Sequence, residues 1–158
     1  RALNKTAQSA QSTAIKTIAQ AIGTPQKVIK PFLSRRLAQR QQLTAVLSAP
    51  HSRRLPLLTI DPQARQNQRG VMVRAKGQRR QLDHAFIAVM MKNGHRGIYA
   101  RKSGAARLPI RELQGPSVAR VFQQPVVQTA LHATIDDRWS VVLDHELQFA
   151  LHQQGYRR

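Results

Sequence analysis

The chain contains no cysteine, so disulfides and thiolate zinc sites are excluded, and cysteine usage carries no information about redox compartment. Aromatic residues are scarce, with four Phe, two Tyr and one Trp. Few rings are therefore available to stack on unpaired bases, which disfavours a dedicated single-strand or RNA reader. Acids are scarce too, with 7 Asp and Glu against 26 Lys and Arg. No apolar run reaches the roughly 18 residues of a membrane span, and no membrane partner is expected. Residue 1 is Arg rather than Met; the chain is expected to begin after residues that are not shown, so a missing targeting segment is informative only for the part given.

What is present is positive charge. The formal net charge is +19 over 158 residues, a field that favours a polyanion or an acidic protein surface as partner. It is unevenly spread: residues 1–80 carry 16 basic groups and one acid, Asp61, whereas residues 81–158 carry 10 basic groups and six acids. The partner-seeking charge thus lies in the first half. A chain of this length suits one domain and can bury roughly 68 to 70% of its unfolded surface.

Helical spacing of Leu3, Ala7, Ala10, Ala14, Ile18 and Ala21 predicts a first helix from about Ala2 to Ile22, stopped by Gly23. Its stripe is mostly Ala, which lets another backbone approach closely but offers little apolar area, so the helix needs a packing partner: its own sheet or a neighbouring subunit. Thr24 and Pro25 read as N-cap and first position of a short helix, Gln26 to Lys30, closed by Pro31. Phe32 to Arg40 is expected to add one or two helical turns with Ser34 as cap and Arg35, Arg36 and Arg40 exposed. Strands are expected over Gln42–Ser48 and Leu55–Ile60 around a basic turn, Pro50–Arg54. Asp61–Gly70 reads as a polar loop, Val71–Arg74 as a short strand and Lys76–Arg80 as a second basic loop.

Ala85–Met91 and Arg96–Lys102 flank Lys92-Asn93-Gly94-His95, and Asn-Gly is the preferred centre of a tight hairpin turn because both residues tolerate positive backbone angles. Phe86, Ala88 and Met90 face one way and Ile87, Val89 and Met91 the other, so the strand is expected to be central and covered on both sides. A junction follows. Leu108, Ile110 and Leu113 can point inward from an extended segment that Pro109 restricts to a sheet edge. Gly115 and Pro116 are expected to break it, with Ser117 as N-cap of Val118–Phe122. From Pro125 to about Gln154 a long helix carries Val127, Ala130, Leu131, Ile135, Trp139, Val142, Leu143, Leu147, Ala150 and Leu151 on one stripe. It is expected to close the core, with Trp139 inside. The fold class read from these elements is α+β: a small, mostly antiparallel sheet with a central hairpin, packed by an N-terminal helix and a long C-terminal helix.

Catalytic signatures are missing. The zincin spacing His-Glu-x-x-His does not occur, and Asp144, His145 and Glu146 point in three directions around a helix. His132 and Asp136 stand one turn apart, too few ligands for a metal. Asp136 and Asp137 diverge by about 100° on a helix and cannot face one substrate atom as an acid–base pair. No phosphate-binding Gly loop, nucleophile elbow or thiol nucleophile is present. Neither enzyme activity nor a metal or cofactor is expected.

The run Leu-Pro-Ile-x-x-Leu-x-Gly-Pro-Ser at 108–117, following Phe-Ile-Ala-x-Met-x-x-Asn-Gly at 86–94, resembles the minor tail protein Z family of lambda-like phages and prophages and its tail-completion relatives. The resemblance covers most of the chain, and Leu108, Pro109, Ile110, Gly115, Pro116 and Ser117 form its junction motif. It implies a single tail-completion domain over 1–158, with a helical segment 1–40, a sheet 42–114 and C-terminal helices 117–154. It also implies a structural virion protein, assembled in the bacterial host cytoplasm and placed at the head-proximal end of the tail. There it forms a hexameric ring that joins tail to neck, meets the tail terminator, tail tube and neck proteins, and lets the genome pass.

Candidate contacts to non-specific phage DNA or to a protein partner are Arg35, Arg36, Arg40, Arg53, Arg54, Arg65, Arg69, Arg74, Lys76, Arg79 and Arg80, as cations that can act on phosphates without reading bases. The competing expectation is a free-standing basic nucleic-acid-binding protein, ribosomal or chromatin-associated. That reading explains the charge well and the two-sided apolar hairpin poorly. A prophage-encoded toxin or nuclease lacks any catalytic cluster.

Overall fold

In the computed structural model of the protein, which describes residues 1–49, 54–75, 78–91, 94–101, 109–153 and 155, the chain opens with helix α1, Ala2–Ile22. Alanine favours helix, but the ends are poorly provided: no acid lies in the first turn, and Arg1 at the N-cap makes no side-chain cap bond. Gly23 closes the helix in the left-handed region, φ 79°, where its amide and that of Thr24 both donate to the Ala19 carbonyl. Helix α1 is therefore held mainly by packing. Ala10, Ala14, Ile15, Ile18, Ala19 and Ile22 enter a core shared with Ile29, Leu33, Leu55, Ile60, Val118, Val121, Val127 and Leu131. Leu3, Ala7 and Ala21 of the expected stripe are only half-buried.

Helix α2, Gln26–Ile29, has Pro25 rather than Thr24 at its N-cap position. The Thr24 hydroxyl is buried without a hydrogen-bond partner. Pro31 does not end the segment but sits in a 3-10 turn, Lys30–Phe32, that continues it. The expected helical turns over Phe32–Arg40 give way to strand β1, Ser34–Arg36, which pairs antiparallel with β2, Val46–Ser48. Ser34 caps nothing; its hydroxyl meets that of Ser48 at 2.7 Å. The hairpin expected between residues 42–48 and 55–60 does not form. Strand β3, Arg54–Pro56, instead pairs with a distant partner in the junction, and Leu57–Ile60 is a helical turn, α3. The centre of that expected turn, residues 50–53, lies outside the described residues.

Strands β4 (Arg65–Asn67), β5 (Gly70–Ala75) and β6 (Gln78–Asp83) form one antiparallel sheet in that order. Part of the expected polar loop is thus β4, and Arg79 and Arg80 belong to β6 rather than to a loop. Strands β7 (Ala85–Val89) and β8 (Arg96–Arg101) make the expected hairpin, while Lys92 and Asn93 of its turn lie outside the described residues. Strand β9, Ile110–Glu112, adds to β8, so β8 is central and β7 an edge. Two-sided burial of β7 is incomplete: Val89 is 58% exposed and Met91 fully so. Part of the edge is capped by the Gln66 side chain, whose carbonyl accepts the Ile87 amide at 2.9 Å. Ala64, Val71, Val73, Ala85 and Ile98 form a second core between these sheets, and Leu57 packs on both cores.

The junction is where those cores are tied together. The Leu113 amide donates to Ile98 of β8, and its carbonyl accepts from Leu57 of α3. Beyond it the chain does not break. Gln114–Ser117 is strand β10, paired with β3, and three steps on β10 match two on β3, a bulge that accommodates Pro116 and its missing amide hydrogen. At Gly115 a side chain would run into Ile60 Cδ1, so the close approach explains the glycine. Ser117 stands at the N-cap position of helix α4, Val118–Phe122, but its hydroxyl makes no cap bond.

Helix α5, Pro125–Gln153, runs antiparallel to α1: Thr134 bonds Thr13, Glu146 pairs with Lys5 at 2.6 Å, and the Arg1 guanidinium lies over Phe149. Its expected role as closure of the core holds for Val127 and Leu131 only. Trp139, expected inside, is 36% exposed. Past Leu131 the stripe no longer faces a layer deep enough to cover it.

Candidate interaction surfaces

Along β5, Val71 and Val73 point into the second core while Met72 and Arg74 point out. Register then decides what joins them, since paired residues of antiparallel strands share a face. Arg65 stands opposite Met72, and Arg79 opposite Arg74. The three guanidinium side chains line a hollow of about 170 Å³ with Met72, Asp61 and Gln63. Arg80 stands opposite Val73 and so belongs to the other face.

Two short side chains hold this arrangement. Asp61 accepts the Gln63 amide with one carboxylate oxygen and the Arg74 amide, at 2.6 Å, with the other. The Asn67 side-chain carbonyl accepts the amides of Arg69 and Gly70 and exchanges bonds with Gln81, which fixes the turn between β4 and β5. The turn into β7 is fixed as tightly: His84 adopts a positive φ of 58° and donates its amide to the Arg69 carbonyl. With the Asp61 carboxylate occupied by backbone amides, no ion pair neutralises Arg65, Arg74 or Arg79 among the described residues. The hollow therefore gathers three guanidinium groups against one carboxylate and is net positive.

The other candidate cations lie apart from it. Arg54, at the start of β3, lines a groove of about 470 Å³ with Gly115, Pro116, Ser117, Arg120 and Gln123. Half of the junction motif therefore forms the wall of a second basic recess. Arg120 is not among the sequence candidates, because a single arginine on a helix gives no pattern signal until β10 and β3 pair. Arg35 and Arg36 lie on β1; one guanidinium nitrogen of Arg35 is buried without a partner. Arg40 is exposed beyond Ala38, whose amide and carbonyl are both bonded by the Asn4 side chain. Arg69 and Arg80 are exposed. Arg53, Lys76 and Leu108 lie outside the described residues, while Pro109 and Ile110 lead into and begin β9.

Among the described residues no three His, Asp or Glu side chains are placed to hold a metal ion. His95 and Glu112 pair at 2.7 Å on the hairpin sheet. Burial, aided by the Glu112 carboxylate, pushes the Tyr99 phenol above its ordinary pKa, so it stays protonated at neutral pH and offers no base. No helix among the described residues is long and apolar enough to cross a membrane.

A family model described as prophage minor tail protein Z (GPZ) matches residues 1–154. Searches of curated proteins and of solved structures returned no match.

Proposed function

We propose, for a chain that belongs to the prophage minor tail protein Z family, that its structural, non-catalytic role in the phage tail is exercised at the head-proximal end. There copies form a ring that completes the tail, joins it to the neck and lets DNA pass. The family match over nearly the whole chain carries this reading. The placement of surfaces supports it, because a ring subunit needs two different faces, one for each neighbour, and a third toward the channel. An arginine-lined sheet face and an apolar helix face are separate features of this molecule.

In this reading Arg65, Arg74 and Arg79 act on DNA phosphates without reading sequence. Arg54 and Arg120 present a second cationic recess to the DNA or to an acidic neck or tail partner. The ring is hexameric, in keeping with the symmetry expected for a tail, and the domain spans the whole chain.

The test is position and stoichiometry. Tails assembled with a tagged copy and imaged by cryo-electron microscopy should show six copies in one layer at the head-proximal end. Density at the distal tip, or single copies scattered along the tube, would overturn the proposal. For the DNA contact, replacing Arg65, Arg74 and Arg79 together by Ala should flatten the salt dependence of non-specific DNA binding, log K against log salt, by about 3, close to 0.9 for each phosphate no longer neutralised. An unchanged slope would assign the hollow to a protein partner.

A further inference from the structure

Of the 7 acids in the chain, Asp61 is held by backbone amides, Glu112 pairs with His95 and Glu146 with Lys5. The others are Asp83, Asp136, Asp137 and Asp144, all exposed and without an ion pair among the described residues. Three of these lie on α5. There Ala133, Asp137, Ser140, Asp144, Leu147 and Leu151 recur at intervals of four and three, the spacing of one helical face, and all of them are exposed. The face points away from α1, since Thr134 and Glu146, which bond to α1, lie on the other side of the helix. It carries two carboxylates and no Lys or Arg. Its apolar end is open, with Leu147 52% and Leu151 50% exposed. In a chain of net charge +19 this is a surface of the opposite sign.

We infer that this face of α5 docks against a second copy of the chain, with Asp144 seated between Arg54 and Arg120 in that copy's junction recess, a contact that rests on the ring reading above and specifies its interface. Charge selects the class of partner. Carboxylates repel DNA phosphates, so the occupant is a protein, and copies that each carry +19 are drawn together only where faces of opposite sign meet. Concavity selects the place, because an aspartate projecting from a helix needs a cationic hollow to enter. The hollow beside Met72 is about 170 Å³ and already holds the Asp61 carboxylate, whereas the recess is about 470 Å³ and has no acid in its wall. Its donors are brought together by the fold: Ser117 stands opposite Arg54 in the β10–β3 pairing, and Arg120 follows Ser117 by three residues on α4. No acid pairs with either arginine among the described residues, and the Ser117 hydroxyl makes no cap bond. Gly115 and Pro116 add an uncharged wall, which suits Leu147, one turn along from Asp144. The two faces differ, so each copy gives α5 to one neighbour and the recess to the other, and the contact propagates until the ring closes.

Exchanging the charges in the full chain tests the contact, with oligomer mass read on the free protein by analytical ultracentrifugation and copies per tail read on assembled tails by cryo-electron microscopy. A helix variant, Asp144→Arg, and a recess variant, Arg54→Glu with Arg120→Glu, should each remain as single copies where the parent chain assembles. Thermal unfolding of the separated chains should be unchanged, because all three side chains are exposed. Mixing the helix variant with the recess variant should restore assembly, since every α5 face then meets a recess of opposite sign. Variants that assemble like the parent would overturn the inference and leave the ring reading intact, as would a mixture that stays unassembled. A recess variant that keeps its assembly but loses DNA binding would give the recess to DNA, again overturning it. Single copies of the parent chain in both free protein and assembled tails would instead sink the ring reading itself.

Discussion

Helices α1 and α5 lie side by side, yet α1 buries eight of its 21 residues and α5 only two of 29. Composition runs the other way, since the buried face of α1 is largely Ala and Ile whereas α5 carries Trp, Phe and several Leu. The difference lies in what surrounds each helix. Helix α1 is enclosed by α2, α4, α5 and the β1–β2 pair, and small side chains fit that close packing. Helix α5 has α1 along one side, and beyond Leu131 its apolar ridge is covered only in part, with Leu143 half-buried, Trp139 36% exposed and Leu147 52% exposed. Periodicity thus records that a face is built for burial, without saying whether the same chain supplies the cover.

The largest effect should come from deepening that contrast. Ile18→Ala removes a fully buried side chain from the centre of α1 and should cost about 2 to 5 kcal/mol in urea unfolding. Leu147→Ala on α5, assayed at concentrations where the chain is monomeric, should stay within about 0.5 kcal/mol. Equal losses would mean that the ridge is covered within the monomer, and the comparison would fail.

Thr6→Val is a smaller step in the opposite direction. It keeps the shape of a buried α1 residue and removes the unpaired hydroxyl, so the isolated chain should gain about 1 kcal/mol. A loss of that size would show that the hydroxyl is already bonded within one copy.

The smallest effect concerns the far end of the pair, where Lys5 and Glu146 join α1 to α5. The hydrogen bond from Lys5 holds the Glu146 carboxyl below its ordinary pKa against the opposing effect of burial, with the charges of Lys5 and Arg1 adding to it. A lowered folded pKa means that this support is fully present above the ordinary carboxylate range and is lost as pH falls through the lowered value. Amide exchange at the start of α1 and the last turns of α5 should therefore quicken at acid pH. Glu146→Gln should show the faster exchange already at neutral pH and no acid step at these sites; a persisting step would assign it to another carboxylate.

Much of the architecture is legible in the order of residues, for local reasons. Helix α1 is marked by Ala spacing and Gly23, the hairpin by Asn93-Gly94 between two apolar runs, and α4 and α5 by their periodicities. The misses share a cause. Strands β1, β4 and β10 are three or four residues long, too short for alternation to show, and β10 exists because β3, far away in sequence, pairs with it. Among the candidate cations, Arg65, Arg74 and Arg79 stand out by charge alone, but the hollow they share follows from the β4–β5–β6 register. Arg120 is invisible for the same reason.

Order along the chain was enough to settle the α+β class, the positive excess of the first half, the absence of thiol chemistry and the places of α1, α4, α5 and the hairpin. These follow from propensities and spacings that act over a few residues. Only the folded arrangement decided which arginines converge, how the junction strand ties one core to the other, and that the ridge from Ile135 to Leu147 is only partly covered. Those features depend on contacts between segments tens of residues apart, whose energies arise when backbone pairing and packing bring the surfaces together.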